Sequence, residues 1–266
     1  MHSLARPLSA LLLLAGATGF CFGYGQALGQ TRRPTPAPIP AAVPPRPANT
    51  TACNYQDPQD FMIRSNWATT REMPEAERRE RRQMAQRSVN FRTEQYGYFT
   101  GFGSRSLNRT TPMDNAVRAD FMGLRVRLNS KIVPALACVE QQIRAECTAP
   151  AYTPRRLSGI RDRNTYHNGE VSNHVYGIAI DIDPTENTCC MCVAEWGDHP
   201  LCQRQVDSIY DRMAMPECWV HVFERFGFYW LGRDRLQDTM HFEFLGDPNR
   251  IARGAAATPP AAPAAP

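Results

Sequence analysis

Gly177-Ile178-Ala179-Ile180-Asp181-Ile182-Asp183 is the stretch on which the reading of this chain turns. Its three isoleucines alternate with Ala179, Asp181 and Asp183, the period of a half-buried strand. Asp181 therefore projects from the face opposite the isoleucines. Just before the strand stands Ser172-Asn173-His174-Val175-Tyr176. Gly177 gives the backbone freedom to bend, so His174 can swing back beside Asp181. A second stretch, Asp238-Thr239-Met240-His241-Phe242-Glu243-Phe244, alternates in the same way. Met240, Phe242 and Phe244 share one face; His241 and Glu243 share the other. If the two strands are neighbours, His174, Asp181 and His241 converge. Two imidazoles and a carboxylate are a hydrolytic zinc set, with the fourth tetrahedral position left to water.

Outward from these strands, Arg155 to Ile160 reads as a short strand, and so do Phe228 to Trp230 and Met240 to Leu245. Val206 to Met213 and Pro216 to Phe226 read as short helices, the second opened by Pro216 and closed by Gly227. Asn115 to Cys147 shows helical periodicity, with Val117, Phe121, Leu124 and Leu128 on one stripe and Asp114 as N-cap. Pro134 should break or kink it into two helices. Glu72 to Arg87 reads as a solvated helix; its mixed signs argue against a surface for an anionic polymer. Tyr96 to Gly103 packs aromatics between glycines, as in a hairpin at the core edge. Helices followed by mixed strands and helices predict an α+β fold with a helical N-terminal region.

The chain has 266 residues, 42% of them hydrophobic, enough for a sizeable core. A net charge of +4 without a long basic block argues against nucleic acid as a partner. Residues 1–29 read as a signal peptide: Arg6 precedes an apolar run from Leu8 to Phe22, with small-residue cleavage sites around Ala27. A retained anchor is the alternative, and bulky Phe20 argues against a lipoprotein Cys21. Residues 30–52 are a Pro/Ala-rich linker, and 252–266 an Ala/Pro tail of the kind that stays disordered. Between them lie a region 53–150, expected to pack on the core, and a core 151–251. The expected location is periplasmic or secreted, with no stable membrane insertion once the leader is removed.

Nine cysteines suit such a route. Without Cys21 an even set remains: Cys53, Cys138 and Cys147 on one side, Cys189, Cys190, Cys192, Cys202 and Cys218 on the other. If all pair, at least one bridge joins the two groups. The expected pattern is a local Cys138–Cys147 loop with Cys53 reaching the cluster. A structural zinc held by Cys189, Cys190, Cys192 and Cys202 is the competing reading, although the spacing fits no common ligand pattern.

Asp238, at the mouth of the last strand, is placed to take a proton from water and return it to a leaving amine; a turn cap is the alternative. Glu243 suits the role of orienting a ligand histidine. Arg161 is read as a guanidinium for a substrate carboxylate or developing oxyanion, against an ordinary surface arginine. His167 is a candidate wall of the cleft. His199 and His221 read as surface or packing residues, and Asp183 as a hydrogen-bonding neighbour of the site.

Taken together, Ser172-x-His174-x-x-Gly177-x-Ala179-x-Asp181, Gly227-Phe228-x-Trp230-x-Gly232 and Asp238-x-Met240-His241-Phe242-Glu243 resemble the D-alanyl-D-alanine carboxypeptidase family. This is the VanY-like and L-alanyl-D-glutamate endopeptidase group of zinc peptidases, family M15. Ser158-Gly159-Ile160-Arg161 is similar to the family's Ser-Gly-Tyr-Arg segment. The resemblance covers roughly residues 155–246. It implies one zinc ion held by His174, Asp181 and His241, with Asp238 as catalytic base. It also implies that Arg161 stabilises substrate or transition state and that Ser172 supports the site on the substrate side. The implied fold is a small antiparallel sheet that carries the zinc, flanked by helices. The implied activity is cleavage of peptidoglycan stem peptides, either at a terminal D-amino acid or inside the stem; a monomer is expected. A zinc-containing module that binds cell wall without catalysis is the other reading.

Overall fold

A computed structural model describes residues 52–166 and 170–252. The expected leader, nearly all of the linker, His167 and almost all of the tail lie outside the described residues.

The sheet that carries the site has four antiparallel strands in the order β3-β4-β6-β5: β3 Leu157–Ser158, β4 Ala179–Ile182, β5 Phe228–Trp230 and β6 His241–Phe244. β4 and β6 are direct neighbours, with Asp181 opposite His241 and Ala179 opposite Glu243. The strands are shorter than the alternation suggests, and every residue of β4 and β6 is buried. One face of the sheet packs on α6 (Glu217–Arg225), which Pro216 precedes as N-cap. There Phe223 stacks on Phe242 at 4.1 Å and meets Phe228 edge-on at 5.1 Å. The other face buries the polar residues described below. A central strand with both faces covered no longer needs a polar face, which is why the half-buried expectation for 177–183 fails in degree.

The region before the core differs from the helical expectation. Asn115 to Asn129 is largely a hairpin: β1 Ala116–Phe121 and β2 Leu124–Asn129 pair with Phe121 opposite Leu124. Met122 (φ 50°) and Gly123 (φ 82°) form the two-residue turn. Both are left-handed, as a turn matching strand twist requires. Ala119, Phe121, Val126 and Leu128 point inward while Arg118, Asp120, Arg125 and Arg127 face solvent. Val117, counted on the helical stripe, is exposed. Asp114 does not cap a helix; it accepts hydrogen bonds from the Thr111 backbone and hydroxyl. Pro134 lies in the first turn of α3 (Val133–Glu146), so it starts a helix where a break was expected.

Upstream, a single turn α1 (Arg64–Trp67) leads to the long helix α2 (Glu75–Tyr96). The front of α2 is solvated and laced by Arg78–Glu75 and Arg81–Glu77 pairs. Its last turns dive inward, burying Ser88, Arg92, Thr93 and Tyr96. Between β4 and α6 run two single-turn helices, α4 (Ala194–Gly197) and α5 (Pro200–Gln203), and a 3-10 turn at Ile209–Arg212 where a helix over 206–213 was expected.

All eight cysteines of the even set pair: Cys53–Cys138, Cys147–Cys218, Cys189–Cys192 and Cys190–Cys202. One bridge, Cys147–Cys218, does join the two groups, as their odd membership demands. The expected partners were wrong, since α3 points Cys138 toward Cys53 and Cys147 toward α6. The four cysteines of the competing zinc reading are taken up in disulfides. Among the described residues no helix is long and apolar enough to cross a membrane.

Candidate metal centre and cleft

His174 sits in a 3-10 turn, Asn173–Tyr176, capped by Ser172, whose hydroxyl accepts from the His174 backbone N–H at 3.3 Å. Gly177 ends the turn with φ 69°. A β-carbon there would lie 2.8 Å from the Asn129 backbone nitrogen. Only glycine fits this left-handed, crowded position. The bend returns His174 toward β4, as the sequence suggests.

The three expected ligands meet. His174 Nε2 lies 3.1 Å from Asp181 Oδ1 and 3.1 Å from His241 Nδ1, and His241 Nδ1 lies 2.8 Å from Asp181 Oδ1. Outer partners assign the tautomers. His174 Nδ1–H donates to the Gly159 carbonyl at 2.6 Å, and His241 Nε2–H donates to Glu243 Oε1 at 3.1 Å. Two lone pairs and a carboxylate oxygen therefore face one another in a buried pocket. That arrangement is repulsive unless a cation sits among them. Tetrahedral zinc with bonds of about 2.0–2.1 Å spaces its donors by roughly 3.3 Å, close to what is seen. The donor set thus fits zinc.

The electrostatics ask for the same charge. Burial works against a charged His241, yet hydrogen bonds and charges from Asp181 and Glu243 hold its pKa well above the usual imidazole value. Burial would raise Asp181, but the two imidazoles pull it well below the carboxylate range. Burial lowers His174 despite Asp181. A proton on His241 does in the metal-free site what a metal ion would do better.

Asp238 is buried at the lip of this pocket, with Oδ1 lacking any hydrogen-bond partner. Burial first, then the Asp181 and Glu243 charges, push its pKa up to about 7, against the pull of His241 and Arg161. Left-handed Gln237 (φ 50°) turns the chain into it. A paired segment also fixes it: the backbones of Cys189 and Asp238 pair as an isolated antiparallel β-bridge, Met191 N–H donates to Leu236 O at 2.9 Å, and Thr239 Oγ1–H donates to Thr188 O at 3.0 Å. The Cys189–Cys192 loop thus braces the candidate base, with Cys192 Sγ 3.7 Å from Asp238 Oδ2.

Arg161 donates from Nη2 to Asp181 Oδ2 at 2.6 Å, so one oxygen of Asp181 is held by the guanidinium and the other faces the histidines. Glu243 takes the orienting place beside His241. Asp183 does not approach the ligands; it accepts from the Tyr152 hydroxyl and from the backbones of Arg155 and Arg156, holding the edge of the sheet. His199 caps α5 and His221 is an exposed member of α6.

A cavity of about 700 Å³ opens over His174, Asp181, Asp238 and His241, with Arg64, Tyr166 and Ser172 among its walls. A second cavity of about 560 Å³ continues beyond Asp181 toward Arg156 and His199. The two share Arg161, Asp181, Trp196 and Met240, so the cleft runs on past the metal centre in both directions.

A family model described as D-alanyl-D-alanine carboxypeptidase matches residues 166–244. No curated protein and no solved structure matches the chain. The M15 peptidase resemblance drawn from the motifs is supported over this segment, which holds the three ligands and Asp238. Arg161 and the Gly159 carbonyl fall just outside it. Three features of the site are absent from the sequence reading: the Gly159 clamp on His174, the cysteine loop bracing Asp238, and a buried guanidinium from α2. Each depends on which distant segments meet, and no local pattern marks it.

Proposed function

We propose that this protein is an exported zinc-dependent peptidase that hydrolyses peptide bonds in peptidoglycan stem peptides. The observation that carries the reading is the convergence of His174 Nε2, His241 Nδ1 and Asp181 Oδ1 beside a buried carboxylate with a free oxygen.

His174, Asp181 and His241 would hold one zinc ion. When bound, zinc supplies Lewis-acid polarisation of a peptide carbonyl and lowers the pKa of water at the site. Asp238 takes the proton of the attacking water through Oδ1 and delivers it to the leaving amine. Arg161 holds Asp181 and reaches the junction of the two cavities, where a guanidinium meets a substrate carboxylate or a developing oxyanion. Ser172 fixes the turn that carries His174 and lines the cleft on the substrate side. Walls from Tyr166 and Trp196 restrict water around the reacting bond.

The cleft's continuation on both sides of Asp181 favours a substrate with residues on either side of the scissile bond, and hence cutting within the stem. Export is supported by the four disulfides and the apolar leader. All the residues assigned to the site come from one chain, and the protein is read here as a monomer. A wall-binding module without catalysis would have no use for a buried, raised carboxyl such as Asp238.

Digestion of purified peptidoglycan, with products weighed by mass spectrometry, tests the activity. New amino termini inside the stem are expected, and release of free D-alanine alone would move the assignment to a carboxypeptidase. Metal analysis should find one zinc, lost in His174→Ala and His241→Ala; full retention in both variants would sink the ligand set.

A further inference from the structure

The last turns of α2 bring Arg92 against the segment that carries His174, outside the lining of the main cavity. It is 3% exposed. A buried guanidinium is strongly unfavourable unless its donors and charge are matched. Its Nη1 donates to the Asn173 side-chain oxygen at 3.0 Å and to the Val171 carbonyl at 3.3 Å. Its Nε donates back to the Ser88 carbonyl at 3.3 Å, and its plane lies over the Tyr176 ring at 5.3 Å.

Those partners belong to the segment that carries a ligand. Asn173 immediately precedes His174 in the 3-10 turn Asn173–Tyr176. Arg92 thus grips this segment at three points, the Val171 carbonyl, the Asn173 side chain and the Tyr176 ring, on both sides of His174. A small cavity of about 20 Å³, lined by Arg92, Asn173 and Glu243 among others, has room for one water at most. Direct contacts therefore run from the N-terminal region to the turn that presents His174.

We infer that Arg92 is a positioning residue of the metal centre: it fixes the turn Asn173–Tyr176 that presents His174, and through it how tightly the site holds zinc. The N-terminal region is on this view part of the metal site, and a segment cut to residues 166–244 lacks a component of it. The inference rests on the zinc reading above.

Full-length protein with Arg92→Met and Arg92→Lys tests it. Ser88→Ala, which removes a buried hydroxyl that contacts Met62 Sδ and leaves the backbone carbonyl that accepts from Arg92, is the control. Two quantities are measured: the zinc dissociation constant by chelator competition, and the melting temperature of the metal-free protein. Arg92→Met should weaken zinc about tenfold or more, as loss of outer support to a ligand does. Arg92→Lys keeps the charge without the fork and should lose less. Ser88→Ala should leave zinc affinity unchanged even where it lowers the melting temperature. Unchanged affinity in a folded Arg92→Met overturns the inference. If Arg92→Met fails to fold, Arg92→Lys decides: unchanged zinc affinity there overturns it equally. Wild-type protein that binds no zinc would remove the reading of the metal centre itself, a different failure from normal zinc binding that ignores Arg92.

Discussion

Asp238 and His241 are the residues whose protons respond to a cation. Without metal, both are held toward their protonated forms, Asp238 near 7 and His241 well above its usual range. Groups with raised values keep their protons below those values, and a cation placed among them favours the deprotonated forms. Zinc uptake at neutral pH should therefore release protons, and affinity should rise with pH until the groups are empty. Titration calorimetry in buffers of different ionisation enthalpy measures this. Asp238→Asn should release fewer protons, keep zinc, and lose turnover by about 10²–10⁴-fold. Near-normal turnover in that variant would make Asp238 a turn residue. Arg161→Lys is not a mild change, because an ammonium cannot both grip Asp181 and present a planar fork to substrate. A loss in kcat/KM of tenfold or more, at least about 1.4 kcal/mol, is expected.

At the scale of elements, the strands that bear ligands were legible and the hairpin was not. The two strands of the site announce themselves by alternation, and α6 by a proline before it and a glycine after it. The β1–β2 hairpin hides because Phe121, Leu124 and Leu128 fit both a helical stripe and two strands reversed by a turn. Its turn is Met122-Gly123, with methionine where asparagine or aspartate would have signalled. Gly123→Ala tests the turn: nothing lies within reach of an added β-carbon, so only the left-handed backbone is strained. A loss of about 1 kcal/mol in unfolding free energy is expected. No loss at all would mean the turn has another conformation in solution. Arg92 was illegible for another reason: it follows a run of solvated arginines, and only the tertiary docking of α2 separates it from them.

For the whole molecule, the disulfides show what residue counting can and cannot do. Odd membership in two groups requires a bridge between them; it says nothing of partners, which depend on where α3 aims its two ends. Cys147–Cys218 closes a loop over a separation of 71 residues and ties α3 to α6. Its removal in Cys147→Ala/Cys218→Ala should cost about 4 kcal/mol in the chain-entropy model. Denaturant unfolding measures that loss, and non-reducing peptide mapping checks the pairing. Because Phe223 still packs α6 on Phe228 and Phe242 without that bridge, zinc affinity should suffer far less than stability.

Asn54 N–H donates to the Ile251 carbonyl at 2.7 Å, and the backbones of Cys53 and Ala252 pair antiparallel. The described chain thus begins and finishes at one spot. A circular permutant becomes feasible: a short Gly/Ser link across that spot, with new termini cut between Arg105 and Ser106 in an exposed stretch. It should fold, form the same four bridges and bind zinc with unchanged affinity. Every contact of the metal centre, from Arg92 to Glu243, would survive with α2 following the peptidase segment along the chain. The order in which these pieces are synthesised would then be an accident of descent, and their mutual packing the only requirement for the site.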